Sequence, residues 1–226
     1  MMGTVVMTQP SGYVSFCLEV EPRRKRMTKD AEQIVGLYER HAHAFDKGRN
    51  RALFEKGWLE RFRALVPQGG SVLDLGCGMG EPIARSLIEA GYALMGVDSS
   101  SSMIALCESR FPAQTWLVAD MQSLALARRF DGIIAWDSFF HLTPDDQRGM
   151  FPVFAAHAAP NAALMFTSGP SHGESMGVYQ GDPLYHASLD PAEYRALLAQ
   201  NGFAVEVHIA DDPDCGGHTV WLARRG

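Results

Sequence analysis

Val72-Leu73-Asp74-Leu75-Gly76-Cys77-Gly78-Met79-Gly80 decides how the rest of the chain is read. An apolar run carrying one acid, Asp74, enters a turn with glycine at every second position, and a helical pattern follows from 82 to 90. Glycine lets a backbone turn sharply and approach a ligand closely. A helix that starts there presents free N–H groups. Open α/β sheets bind ligands beyond the carboxyl ends of their strands, where this turn stands. The segment reads as strand, binding loop and helix.

Working outward, apolar residues on the N-terminal side recur mostly at spacings of three and four: Ile34, Leu37, Tyr38, His41 and Phe45, then Leu53, Phe54, Trp58, Leu59 and Phe62. This predicts two helices broken near Gly48. On the C-terminal side, strands predicted over 93–97, 115–118, 130–136 and 162–167 alternate with helices over 101–110 and 145–158. Thr143-Pro144 opens the second of these helices, with Thr as cap and Pro at the first helical position. The β-α-β-α order predicts an α/β fold, a mainly parallel sheet between two helical layers. Ser168-Gly169-Pro170 opens a long loop, residues 169–189, with the makeup of a lid. Asp190-Pro191 starts a further helix. Two strand-like runs follow, 203–209 and 219–223, and their short connection requires antiparallel pairing.

The chain has 226 residues, enough for one sizeable α/β core. Its net charge of -6 lacks the positive field that holds phosphate backbones, so nucleic acid is not expected as a partner. Cys17, Cys77, Cys107 and Cys215 form no CxxC pair, which argues against zinc or redox motifs and for a reducing, cytoplasmic location. No stretch reads as a membrane span or a signal peptide. Residues 1–27 mix small polar residues with the basic cluster Arg23–Arg26 and read as a flexible extension, with Met27 as a second start. Residues 28–226 then form one domain, with a helical cap over 28–66.

The loop's ligand follows from its charges. A dinucleotide fingerprint counted from Gly76 finds Glu81 where a third glycine belongs, and Asp74 precedes the turn. Both acids disfavour a pyrophosphate and favour a cation. S-adenosylmethionine (SAM) has no phosphate and carries an ammonium and a sulfonium, so it is favoured over NAD. Asp98, ending the second strand about twenty residues on, suits ribose hydroxyls. Ala119-Asp120-Met121 follows the third strand, where an Asp can receive an adenine amino group and a Met can pack on the ring.

These residues resemble the class I SAM-dependent methyltransferase superfamily over roughly 30–225. Residues 72–80 match its first motif, Asp98 its acid after strand two, Ala119-Asp120 its adenine motif, and 131–136 its fourth strand. The resemblance implies a Rossmann-like sheet of seven strands ordered 3-2-1-4-5-7-6, with strand seven antiparallel. It also implies that Asp74, Gly76, Gly78 and Gly80 line the methionine part of SAM, Asp98 the ribose, and Asp120 and Met121 the adenine. Ala135 or Trp136 would meet the methionine amine, and Arg49 from the helical cap would pair with the carboxylate. The implied activity is methyl transfer by in-line displacement to an oxygen or nitrogen of a small molecule. An NAD(P)-dependent oxidoreductase and a non-catalytic SAM-binding protein are the alternatives.

The acceptor side is read from position alone. Trp136-Asp137-Ser138-Phe139-Phe140-His141 leaves the fourth strand where the reacting methyl should lie. His141 is a candidate base with a pKa near working pH, or a structural histidine. Asp137 is a candidate for orienting an amine or His141, or a turn carboxylate. Phe139, Phe140 and Trp136 form an aromatic wall or belong to the core. The Asp211–Asp214 cluster is read as a hairpin turn, and no metal site is expected.

Overall fold

A computed structural model describes residues 29–226, so the extension and Met27 lie outside the described residues. Two helices come first, α1 (Ile34–Gly48) and α2 (Lys56–Leu65). There follow β1 (Ser71–Leu75), α3 (Ile83–Glu89), β2 (Ala93–Asp98), α4 (Ser101–Arg110), β3 (Thr115–Val118), β4 (Phe130–Ala135), α5 (Pro144–His157) and β5 (Ala158–Ser168). The chain ends with β6 (Gly173–Tyr179), β7 (Asp182–Ser188), α6 (Pro191–Gln200), β8 (Phe203–Asp212) and β9 (His218–Arg225).

Seven strands form one sheet in the order β3-β2-β1-β4-β5-β9-β8. The first five pair in parallel, and β9 runs antiparallel to both neighbours. This is the expected 3-2-1-4-5-7-6 topology, with β8 and β9 in the places of strands six and seven. Successive side chains of a strand face opposite ways, and the two cores divide accordingly. Leu73, Leu75, Ile133, Ala135, Leu164 and Phe166 pack toward α5 and α6 with Phe151, Phe154 and Tyr194. Val72, Ile134, Ala163, Met165 and Leu222 pack toward α2 and α3 with Trp58, Phe62 and Leu87. Both faces are therefore covered, as a parallel sheet requires. Thr143 caps α5 by accepting from the Asp146 N–H, and Asp190 caps α6 by accepting from the Ala192 N–H. No helix among the described residues is long and apolar enough to cross a membrane.

The segment expected as a long loop is instead a second sheet, the hairpin β6–β7. Its tight turn, Gln180-Gly181, takes positive φ at both residues (52° and 89°), the backbone of a type I′ hairpin turn. Asn or Asp usually fills the position Gln180 holds, so the turn signal is weak. β6 is exposed along most of its length, so no alternation of apolar and polar residues marks it as a strand. The hairpin packs on α1: Tyr185 and Ala187 join Ile34, Ala31, Tyr38 and Leu184 in one apolar cluster. Asp182 accepts hydrogen bonds from Arg40 at 2.7 Å and His41 at 2.9 Å.

Candidate active site

The carboxyl ends of β1, β2 and β4 open into a cavity of about 580 Å³, roofed by α1. Asp74, Gly76, Gly78, Gly80, Asp98, Asp120, Met121, Trp136, Asp137, His141 and Arg49 all line it. Residues spread over almost a hundred positions thus converge on one space. Ala135 does not reach it. It is fully buried within β4, on the face turned toward α5, because the alternation that turns Trp136 toward the cavity just past the strand end turns its neighbour into the core. Phe139 is likewise core, packed against Phe151, Phe154, Phe166 and Tyr194, so it is no part of an aromatic wall.

The loop after β1 needs its glycines for two different reasons. Gly76 has φ 71°, and a Cβ there would lie 2.2 Å from Ser138 Cβ. Ser138 in turn donates to the Leu75 carbonyl at 2.7 Å, which locks loop to loop. Gly78 has φ 52°, yet a Cβ there would meet nothing nearer than Phe45 at 3.9 Å. Its missing side chain leaves room in the cavity rather than avoiding a clash.

Two acids give the floor its charge. Asp74 is 4% exposed, and burial, with the Asp98 charge adding to it, pushes its carboxyl up to about 7. Asp98 is also pushed up by burial, against hydrogen bonds that it accepts from the backbone N–H groups of Gly78 (2.9 Å) and Ser100 (2.9 Å). Each of its oxygens takes one backbone donor, leaving a further lone pair each for a ligand. Asp120 caps the short turn Met121–Ser123 through the Gln122 N–H and stands exposed at the rim.

Glu81 does not act as the sequence suggests. Arg51 and Arg85 both pair with it, and these contacts draw its carboxyl below the usual range despite partial burial. Its charge is neutralised, so the cation preference of the loop rests on Asp74 and Asp98.

On the opposite wall, Asp137 leaves β4 with φ 50°. Its carboxylate accepts from His218 Nε2 at 3.0 Å and sits 3.5 Å from an Arg49 nitrogen. His218 Nδ1 also donates to the Cys215 carbonyl at 2.7 Å. Both partners are acceptors, so the pair favours a proton on each ring nitrogen and with it the charged form of His218. The Asp137 hydrogen bond accordingly raises its pKa. Arg49 also reaches the fully buried Glu55 at 3.3 Å. His218 lies on β9, far along the chain from Asp137 and Arg49, and no local pattern marks it.

His141 is 7% exposed. Its Nδ1 contacts the Tyr185 carbonyl at 2.8 Å, and its Nε2 the Tyr38 hydroxyl at 3.0 Å. Burial lowers its pKa to about 4, which corrects the expectation of a histidine poised near working pH. Glu39 is a further residue that sequence reasoning misses. Its carboxylate accepts from the hydroxyls of Ser100 (2.6 Å), Ser101 (2.9 Å) and Ser102 (2.7 Å) and from the Ser102 N–H (3.1 Å). Those hydrogen bonds hold it at about 2 and fasten α1 to the start of α4 above the cavity.

Comparison with known proteins agrees with this geometry. Residues 72–161 match the model of a methyltransferase domain. The chain is 27% identical over 136 residues to a putative methyltransferase, YqeM, of Bacillus subtilis, covering 58% of this chain and 54% of that protein. It is 25% identical over 132 residues to dTDP-3-amino-3,4,6-trideoxy-alpha-D-glucopyranose N,N-dimethyltransferase of Streptomyces venezuelae, covering 55% of each. The matched region thus spans about half the length of these curated relatives. Among solved structures, the SAM-bound amino pentose methyltransferase CalS10 of Micromonospora echinaspora superposes with a TM-score of 0.64 at 18% identity, covering 82% of this chain and 96% of that one. Magnesium protoporphyrin IX methyltransferase of Synechocystis with bound SAM superposes at 0.65 and 18%, covering 87% and 97%. Residues 72–161 are thus similar to a methyltransferase domain, and the glycine loop and sheet order give this chain the fold of the SAM-bound methyltransferases it superposes on.

Proposed function

We propose that the chain transfers the methyl group of SAM to an oxygen or nitrogen atom of a small molecule. The observation that carries this reading is Asp74: a carboxyl buried at the cavity floor and pushed up to about 7 is relieved by a cation and aggravated by a phosphate. The residues present fit SAM. Asp74 and the turn at Gly76, Gly78 and Gly80 would hold the amino-acid end, with Trp136 beside it and the Arg49 guanidinium available to the carboxylate. Asp98 would take the ribose hydroxyls, and Asp120 and Met121 the adenine. Bound there, SAM supplies a methyl carbon already activated by its sulfonium.

The chain's own part is then to align the acceptor and exclude water. The cavity lies beneath α1, which Glu39 and the β6–β7 hairpin hold down, and we read α1 and the hairpin as the cap and lid over a small acceptor. Asp137, held by His218 and Arg49, and His141, held by Tyr38 and the Tyr185 carbonyl, are the groups we assign to the acceptor side. Relatives named for action on amino sugars support a small acceptor over nucleic acid. The free thiols Cys77, Cys107 and Cys215 support a reducing compartment, the cytoplasm.

Calorimetric titration with SAM, S-adenosylhomocysteine and NADH tests the reading. Micromolar binding of the two adenosyl ligands and none of NADH is expected, with at least tenfold weaker SAM binding in Asp98→Ala. NADH binding in preference to SAM would refute it.

A further inference from the structure

Tyr38 is a cavity-lining side chain whose hydrogen-bonding capacity is fixed from behind. The Tyr185 main-chain carbonyl can only accept, so the proton on His141 sits at Nδ1, 2.8 Å away. Nε2 of the neutral ring is then a lone pair, and the Tyr38 hydroxyl 3.0 Å from it must be the donor. The imidazole is buried, and the hairpin that supplies the carbonyl packs against α1, which carries Tyr38. The orientation is therefore imposed by two elements rather than chosen by a mobile side chain. With its only proton committed to His141, Tyr38 Oη offers the cavity lone pairs and nothing else.

We infer that Tyr38 is an acceptor-contacting residue, whose oxygen receives a hydrogen bond from the methyl-accepting atom and so selects a nucleophile that carries its own hydrogen, an amine or a hydroxyl, over a carboxylate. The inference rests on the SAM-dependent reading and deepens it. A carboxylate has no hydrogen to give and would face the Tyr38 lone pairs, while an N–H or O–H aligned on Oη directs its own lone pair elsewhere, toward the methyl carbon. His141 acts through Tyr38 and is a positioning residue: it turns the tyrosine from a group that can donate into one that only accepts.

Sinefungin, an adenosyl ligand with an amino group where SAM carries its methyl, tests this without an identified acceptor, because its N–H groups stand where the acceptor meets the site. Dissociation constants for sinefungin and S-adenosylhomocysteine are measured by calorimetry on the wild-type chain and on Tyr38→Phe. Wild type should prefer sinefungin by about tenfold, and Tyr38→Phe should bring the two within about threefold while holding S-adenosylhomocysteine as wild type does. Equal affinities in wild type, or a preference that survives Tyr38→Phe, would overturn the assignment. Should Tyr38→Phe fail to fold, a crystal structure of wild type with sinefungin decides: an amine nitrogen within about 2.7–3.2 Å of Tyr38 Oη supports it, and an amine turned elsewhere overturns it. If neither adenosyl ligand binds wild type, the proposed function fails first and this inference with it.

Discussion

Replacing Asp74 by asparagine should make the ligand-free protein more stable and its cofactor binding worse. Unfolded, this carboxyl titrates near 3.8; folded, it is pushed up to about 7. Below pH 3.8 both states hold the proton. Between 3.8 and 7 the unfolded chain loses it while the fold keeps it, so stability declines as pH rises, and above 7 the whole cost stands. That interval corresponds to about 4 kcal/mol. Water in the cavity offsets part of it, leaving roughly 2–4 kcal/mol. The neutral amide of asparagine has no charge to bury, so Asp74→Asn should raise the melting temperature at pH 8 by roughly 5–12 °C for a chain of this size. By pH 5 the gain should shrink to less than half, because the folded carboxyl takes up its proton again. The same change should weaken SAM binding at pH 8 by at least about tenfold, since it removes the partner of a cation. Scanning calorimetry at the two pH values and titration with SAM measure both arms. A variant that melts at or below the wild-type temperature at pH 8, or that binds SAM unchanged, would refute the reasoning.

Two neighbouring glycines should separate stability from binding. Gly76→Ala drives a Cβ to 2.2 Å from Ser138 and should cost about 3 kcal/mol or more by chemical denaturation. Gly78→Ala meets open space and should cost only about 1–2 kcal/mol for its left-handed φ, yet lose most of its SAM affinity in titration. Glu39→Ala removes the acceptor of three serine hydroxyls and one helix N–H and, after solvent screening, should cost about 1–2 kcal/mol at pH 7. Because those bonds lower the carboxyl from 4.5 to about 2, the difference from wild type should be full above pH 4.5 and vanish as pH falls through 2. His141→Ala should leave SAM affinity within about threefold and reduce turnover at least 100-fold in an assay of S-adenosylhomocysteine release.

What the sequence discloses follows from how local each signal is. The glycine turn, Asp98 at a strand end and the Thr143-Pro144 helix start are written into a few adjacent residues, and the parallel order follows from alternating strand and helix periods. The antiparallel end is legible because a short connection permits no other pairing. The β6–β7 hairpin is not, since its strands show no apolar alternation and its turn uses Gln180. His218 and Glu39 escape because the side chains they meet at the site, Asp137 and Ser100–Ser102, lie tens of residues away and only the folded chain brings them together. Position alone finds His141 but not its protonation. The carbonyl that fixes its tautomer belongs to the hairpin that reads as a loop, and burial outweighs any nearby charge.

In the function proposed above, a buried carboxyl beneath a glycine turn holds a positively charged adenosyl cofactor. A crystal structure of this chain with S-adenosylhomocysteine tests it most directly. The ligand's ammonium should lie at Asp74, its ribose hydroxyls on Asp98 and its adenine beside Met121. A turn left empty at saturating ligand, or one that holds a pyrophosphate instead, would contradict it.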